Sequence, residues 1–325
     1  MKLSIVIPVY YNEETLFPLY EDIRENVIDK IKCDYEIIMV NDGSKDRSYE
    51  YMQQIAERDG NVKIYSLSRN FGSHACILCG LSKVTGDCAA VKAADLQEPS
   101  SLILEMLDKW LRGYNVVLAE REERDEKKSQ IFWSNMYYWL VRKTALPQMP
   151  DKGFDVYLLD RKVIEVLMKL DERNSALTGQ ILWSGFRTAS VKYRRLARTA
   201  GESKWTIKKK IRLVSDTLFS FSTLPITLVS IVGCLSFFGS LIWAFAVFLA
   251  KIFGKITVSG WTTLFIFNLF SFGMIMLTLG ILGGYLWRTF DASRNRPPYI
   301  IEDEGMDFIR DKGRCLEDED NAKSS

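Results

Sequence analysis

The chain has 325 residues, enough for about two domains of ~150 residues each. Its 43 Lys+Arg against 41 Asp+Glu leave a net charge of +2, which offers no electrostatic footprint for nucleic acid as a main partner. With 47% hydrophobic and 26% charged residues, the composition excludes disorder and collagen-like or low-complexity architectures.

Residues 3–7 form a short, largely apolar and β-branched run closed by Pro8, which predicts a strand buried on both faces. The run is very short and no small-residue cleavage site follows it, so a signal peptide is not expected. After a polar turn, residues 14–27 place Leu16, Leu19, Ile23 and Val27 at helical spacing. Residues 35–40 predict a second buried strand, ending in the turn Asn41-Asp42-Gly43-Ser44-Lys45-Asp46. A helix over 48–58, a strand over 62–67 and a helix over 74–84 follow. Next come a strand over 88–92, running into Ala94-Asp95-Leu96-Gln97-Glu98-Pro99, a helix over 101–112 and a strand over 116–119. Strands alternating with helices through short connections predict an α/β domain on a mostly parallel, doubly wound sheet. Ligands of such sheets lie outside the carboxyl ends of the strands. Asp42 and Asp95 fall at two of those ends.

Beyond the last of these strands the chain changes character. Residues 130–146 are aromatic-rich and broadly helical, and residues 162–170 predict another helix. Residues 208–221 are amphipathic, with Lys208, Lys209, Lys210 and Arg212 preceding Leu213, Val214, Leu218 and Phe219. Because they lead directly into an apolar stretch, they read as an interfacial helix on anionic headgroups rather than a soluble surface helix. Residues 224–250 and 264–287 each exceed the ~20 apolar residues needed to cross a bilayer. From residue 224 to 290 the only charges are Lys251, Lys255 and Arg288. Basic residues flank the pair outside its loop: Lys204, Lys208, Lys209, Lys210 and Arg212 before it, Arg288, Arg294 and Arg296 after it. The positive-inside rule therefore predicts an integral protein of the inner membrane with both termini and the α/β domain in the cytoplasm. From Glu302 onward the sequence reads as a polar, mobile tail.

The six cysteines show no disulfide framework, so a reduced compartment is the default. Cys76 and Cys79, near His74 and Cys88, invite a zinc reading. No second ligand pair follows, and buried apolar thiols on a helix are the better expectation. A single histidine and the absence of a Gly-x-Ser-x-Gly turn speak against a Ser-His-Asp hydrolase. No P-loop motif is present. What remains is a set of carboxylates at strand ends followed by basic residues near the apolar region. Asp42 can accept hydrogen bonds from a nucleobase or ribose, or serve as ordinary turn chemistry. Asp95 and Gln97 present oxygens suited to a hard divalent cation that completes its shell with phosphate and water. An Asp at a strand end is as often a helix N-cap.

Six segments then meet a known family in order and spacing. They are Ser4-Ile5-Val6-Ile7-Pro8-Val9-Tyr10-Tyr11-Asn12-Glu13-Glu14, Val40-Asn41-Asp42-Gly43-Ser44-Lys45-Asp46, Ser68-Arg69-Asn70-Phe71-Gly72, Ala94-Asp95-Leu96-Gln97-Glu98-Pro99, Asp155-Val156-Tyr157-Leu158-Leu159-Asp160-Arg161, and Arg198-Thr199-Ala200-Gly201-Glu202-Ser203-Lys204-Trp205. Together with the two spans and the segment 294–299, the chain resembles family 2 glycosyltransferases of GT-A fold, in the polyprenyl-phosphate branch. The resemblance implies a Rossmann-like GT-A domain over 1–206, an interfacial helix over 207–223, a two-helix transmembrane region over 224–290 and a cytosolic tail over 291–325. It also implies inverting transfer of a sugar from a nucleotide donor, a UDP- or GDP-hexose, to the phosphate of a membrane polyprenol for cell-envelope or surface glycan synthesis. Carried onto these positions, Pro8, Tyr10, Glu13 and Asp42 would line the nucleotide pocket. Asp95 and Gln97 would hold Mg²⁺ or Mn²⁺, and Arg121 would face the acceptor phosphate. Asp155 would sit beside the reacting centre, while Arg198, Ser203 and Lys204 would close over the diphosphate.

Departures are visible too. Ala93 stands where many relatives carry a first acidic residue, Tyr157 where many carry Arg, and Tyr11 is extra. No second acceptor-phosphate Arg occurs within 129–135. A processive polysaccharide synthase is the alternative within enzymes, but its Gln-x-x-Arg-Trp motif has only Gln180-Ile181-Leu182-Trp183 as a partial match. A catalytically silent membrane scaffold is the alternative from another class, and Ala93 speaks for it. Two spans also offer surface for a homo-oligomer.

Overall fold

The computed structural model describes residues 1–122, 128–170, 176–194, 217, 220–253 and 260–305. Strand β1 (Lys2–Val9) lies near the middle of an eight-stranded sheet. Leu3, Ile5, Ile7 and Val9 join one apolar cluster, while Val6 joins the other. Strand β2 (Asp34–Asn41) repeats the device, with Ile37 and Met39 on the first face and Ile38 and Val40 on the second. Alternation with apolar residues on both sides is what a strand between two helical layers requires. Helices α1 (Leu16–Asn26) and α2 (Ser48–Arg58) cover the first face. Strand β3 (Val62–Leu67) intervenes before helix α3 (Ser73–Ser82), which packs on the second face.

Strand β4 (Cys88–Val91) pairs parallel to β1 on the side away from β2. Helix α4 (Leu102–Leu111) joins the first face, and strand β5 (Val116–Arg121) follows. Beyond helix α5 (Lys128–Thr144), strand β6 (Phe154–Asp160) inserts between β4 and β5 and runs antiparallel to both. Helices α6 (Arg161–Lys169) and α7 (Leu177–Trp183) pack on the second face, and strand β7 (Thr188–Tyr193) pairs parallel to β5. The order across the sheet is β7-β5-β6-β4-β1-β2-β3-β8. The mostly parallel sheet expected from the alternation is therefore present, with β6 and β8 as its antiparallel members.

At the amino end of the strands Glu36 is 1% exposed and accepts from Ser4 Oγ, Lys2 Nζ, Lys63 Nζ, Thr85 Oγ1 and the backbone N–H groups of Thr85 and Gly86. This network ties β1, β2, β3 and the turn before β4 together on the side away from Asp42 and Asp95.

Two long helices follow, α8 (Leu224–Ile252) and α9 (Trp261–Ser293). At ~1.5 Å per residue they reach about 43 and 50 Å, against a hydrocarbon core of ~30 Å. Segments Leu224–Trp243 and Phe270–Ser293 are long and apolar enough to cross a membrane by length and composition, and no part of either is buried. Leu235, Ile242 and Leu286 are each about 70% exposed, so these are not core helices of a soluble domain. The expected amphipathic helix over 208–221 lies almost wholly outside the described residues.

The polar tail departs from expectation at its start. Glu302 and Asp303 belong to strand β8 (Ile301–Asp303), which pairs antiparallel with the edge strand β3. Ile300 O accepts from Ser68 N at 3.0 Å, Tyr299 OH bonds Ser82 Oγ at 3.0 Å, and Lys83 pairs with Glu304 at 2.8 Å. Three alternating residues are too short a signal to read without the edge they cover.

Candidate active site

The carboxyl ends of β1, β2, β4 and β5 and the amino end of β6 lie along one edge of the sheet, because β6 runs opposite to its neighbours. That direction brings Tyr10, Asp42, Asp95, Arg121 and Asp155 to the same edge from sequence positions far apart.

Two loops are locked together beside β2. Asp42 is 3% exposed, and its carboxylate accepts from Phe71 N at 2.7 Å and Gly72 N at 3.0 Å. Gly43 makes the contact sterically feasible. Its φ is +66°, and a Cβ there would sit 2.6 Å from Arg69 C and 2.8 Å from Asn70 N. Tyr11 also holds a left-handed φ of 55°, with its N–H donating to Ser44 Oγ at 3.0 Å. Tyr10 stacks edge-on against Tyr11 at 4.7 Å. Pro8 faces Val40 one step before the ladder ends at Val9 and Asn41. Glu13 accepts from Arg47 N at 2.9 Å, which ties the first motif to the start of α2. Asp42 thus spends hydrogen-bonding capacity on the 68–72 backbone, a positioning contact that the turn reading did not foresee.

The loop after β4 is pinned from below. Lys92 N continues the ladder to Val6 O at 3.0 Å, and its side chain, 1% exposed, donates from Nζ to Glu98 O. Burial pushes the Lys92 ammonium down in pKa, and Glu98, Asp22 and Asp95 pull it back up. Thr15 Oγ1 donates to Ala94 O at 2.6 Å, and Ser100 Oγ donates to Asp22 Oδ2 at 2.5 Å. Within this loop Leu96 has φ 56° and Gln97 N donates to Asp95 Oδ1 at 3.3 Å. Among the described residues no group of three or more His, Cys, Asp or Glu side chains is poised around a metal. One carboxylate and one amide oxygen suit Mg²⁺ or Mn²⁺, hard ions that take a few protein oxygens and fill the remaining shell with phosphate and water. The donor set therefore fits a cation that arrives with a diphosphate.

On the far side of the edge, Arg121 and Asp155 form an ion pair, and Arg121 Nε donates to Tyr193 OH at 3.4 Å. The Arg121 side chain is 16% exposed and that of Asp155 53%, so the pair stands at the mouth and not in the core. Lys152 Nζ donates to Glu122 O, and Arg142 pairs with Asp151, fastening the turn before β6 to the end of β5 and to α5.

The profile of "Glycosyl transferase family 2" matches residues 4–195, more than half of the chain. The chain belongs to glycosyl transferase family 2. Its relatives include the "Uncharacterized glycosyltransferase YkcC" of Bacillus subtilis (strain 168), 38% identical over 93% of this chain and 94% of that protein. The bactoprenol glucosyl transferase of Shigella phage SfV is 33% identical over 94% of this chain and 99% of its own length. Among solved structures, glucosyl-3-phosphoglycerate synthase from Mycobacterium tuberculosis is 15% identical over 67% of this chain and 79% of that chain, with a TM-score of 0.45.

In this family 2 glycosyltransferase, Arg198, Ser203 and Lys204 lie outside the described residues, whereas the other candidate residues share the carboxyl edge. Sequence reasoning does not single out Thr15, Lys92 or the 71–72 amides. A lysine ending an otherwise apolar strand, Ala89-Ala90-Val91-Lys92, was the available signal. Cys76, Cys79 and Cys88 are fully buried, in keeping with structural thiols. Burial raises all three, Cys79 and Cys88 to about 12, which disfavours the thiolate a metal or an electrophile needs.

Proposed function

We propose that this glycosyltransferase moves a sugar, with inversion, from a UDP- or GDP-hexose to the phosphate of a membrane polyprenol at the cytoplasmic face of the bilayer. The observation that carries the reading is the convergence of the Asp42 loops, the Asp95 loop and the Arg121–Asp155 pair on one edge of a domain followed by two lipid-length apolar helices. The kinship with a bactoprenol glucosyl transferase over nearly the whole chain supports it.

In this reading an acceptor phosphate oxygen attacks the anomeric carbon while the bond from that carbon to the nucleoside diphosphate breaks, and the electron pair leaves with the nucleotide. Pro8, Tyr10 and Glu13 line the base and ribose pocket, and Asp42 holds the neighbouring 68–72 loop in register. Asp95 and Gln97 would hold a divalent ion, which would supply positive charge to the departing diphosphate. Arg198, Ser203 and Lys204 add cationic and hydrogen-bonding contacts to the same group, strongest when its charge is largest. The acceptor phosphate is already anionic at neutral pH, so it needs positioning more than deprotonation. Arg121 provides that by a charge-assisted contact, and Asp155 orients the guanidinium. Helices α8 and α9 anchor the domain at the lipid surface where the acceptor resides.

Purified protein incubated with polyprenyl phosphate, Mg²⁺ and a panel of UDP- and GDP-hexoses should yield a single-sugar lipid with one donor. A polymer, or no product with any donor, refutes the assignment. Asp95→Ala should lose most turnover while the chain still inserts into membranes, and normal rates in that variant would remove Asp95 from the site.

A further inference from the structure

We propose that Lys92 is a positioning residue for the cation–diphosphate site, acting through the loop that carries Asp95 and Gln97; this rests on the cation role given to those two residues above. An isolated buried ammonium is costly, and a methionine of similar length would fill the same space without desolvating a charge. Lys92 is nevertheless 1% exposed, directly after a strand built of small apolar residues. Its Nζ spans the loop and donates to Glu98 O, closing residues 93–98 into a ring anchored on β4. A second anchor, Thr15 Oγ1 on Ala94 O at 2.6 Å, grips the other end of the same ring from the start of α1. Between the anchors lie Leu96 with its left-handed φ of 56° and the Gln97 N to Asp95 Oδ1 contact at 3.3 Å. A six-residue loop with a left-handed non-glycine at its centre holds that shape only when its surroundings over-determine it. Two side chains reaching backbone carbonyls from opposite ends do so. The two anchors thereby fix the backbone that carries Asp95 and Gln97 at the carboxyl edge. Ala93 contributes no carboxylate to the loop, so the orientation of Asp95 carries more of the cation affinity.

The test is Mn²⁺ binding by the full-length protein in detergent, read as free Mn²⁺ by electron paramagnetic resonance with saturating UDP and, in parallel, GDP. Alongside it the thermal midpoint of each variant is recorded. Lys92→Met should weaken nucleotide-supported Mn²⁺ binding ~10-fold or more, the range for partners that orient metal ligands. Thr15→Val, which is nearly isosteric, should weaken it in the same direction and serves if Lys92→Met does not fold. Asp95→Asn should abolish binding. A Lys92→Met protein with a lowered thermal midpoint but wild-type Mn²⁺ affinity in its folded fraction reduces Lys92 to a structural residue and overturns the proposal. So does an unchanged affinity in Thr15→Val when Lys92→Met cannot be obtained. If Asp95→Asn also binds Mn²⁺ normally, the cation reading itself fails and takes the Lys92 proposal with it. Loss in Asp95→Asn with no change in Lys92→Met sinks the Lys92 proposal alone.

Discussion

Gly43→Ala replaces a single hydrogen by a methyl group at the point where two loops meet. At φ +66° a non-glycine residue carries ~1–2 kcal/mol of local strain. The added Cβ would also lie 2.6 Å from Arg69 C and 2.8 Å from Arg69 Cα and Asn70 N, backbone atoms that cannot swing aside. The loops must part, and the Asp42 bonds to Phe71 N (2.7 Å) and Gly72 N (3.0 Å) stretch with them. A hydrogen bond to a charged group contributes ~1.5–3 kcal/mol, so losing one brings the total to about 3 kcal/mol or more. For a domain of this size that lowers Tm by about 6–12 °C, at ~2–4 °C per kcal/mol. Differential scanning fluorimetry on the purified chain measures the shift, and the KM for the nucleotide donor should rise with it. Gly60→Ala is the control, since nothing lies within 4 Å of a Cβ there and its φ is not positive. A Gly43→Ala protein as stable as Gly60→Ala, with an unchanged donor KM, would refute the claim that loop contact shapes the site.

Burial raises the Glu36 carboxyl, but hydrogen bonds from Thr85 N, Ser4, Thr85 Oγ1 and Lys2 outweigh it and hold the group well below its ordinary value of 4.5. A depressed folded-state pKa contributes stability that is present above about pH 4.5 and drains away as pH falls toward the folded value. Glu36→Gln should therefore lower Tm at pH 7 and flatten the acid limb of a Tm–pH curve; parallel acid limbs in both proteins would contradict this. Arg121→Ala should raise the KM for polyprenyl phosphate while changing stability by less than ~1 kcal/mol, because its partner Asp155 is half exposed. The reverse pattern would make the pair structural. Native protein should leave Cys76, Cys79 and Cys88 unlabelled by maleimide until unfolded, and a chelator should not change that; mass spectrometry of labelled peptides checks it.

Much of the central sheet was readable because each strand must bury two faces. The expected bounds of α2 and β3 agree with the structure, and those of β1, β2 and α4 fall within two residues of it at either end. The omissions share a cause. Only Val191 and Tyr193 are buried along β7, and β8 has three residues, so neither repeats an apolar period long enough to detect. In the sequence β6 shows as a motif and not as a strand, since no alternation rule announces an antiparallel insertion between β4 and β5. The helix expected from residue 14 starts at Leu16, and Thr15, which would ordinarily cap it, spends its hydroxyl on Ala94 O instead.

Sequence by itself determined which segments are apolar on both faces, which two are long enough for lipid, and which turns place Asp42 and Asp95 at strand ends. Those are local properties, written into residue type and spacing. Only the tertiary structure decided that the Asp42 carboxylate faces the 71–72 amides, that Arg121 meets Asp155, and that Lys92 reaches beneath the Asp95 loop. Such contacts join residues whose separation in the chain says nothing about their distance, and strand order and direction alone bring them together.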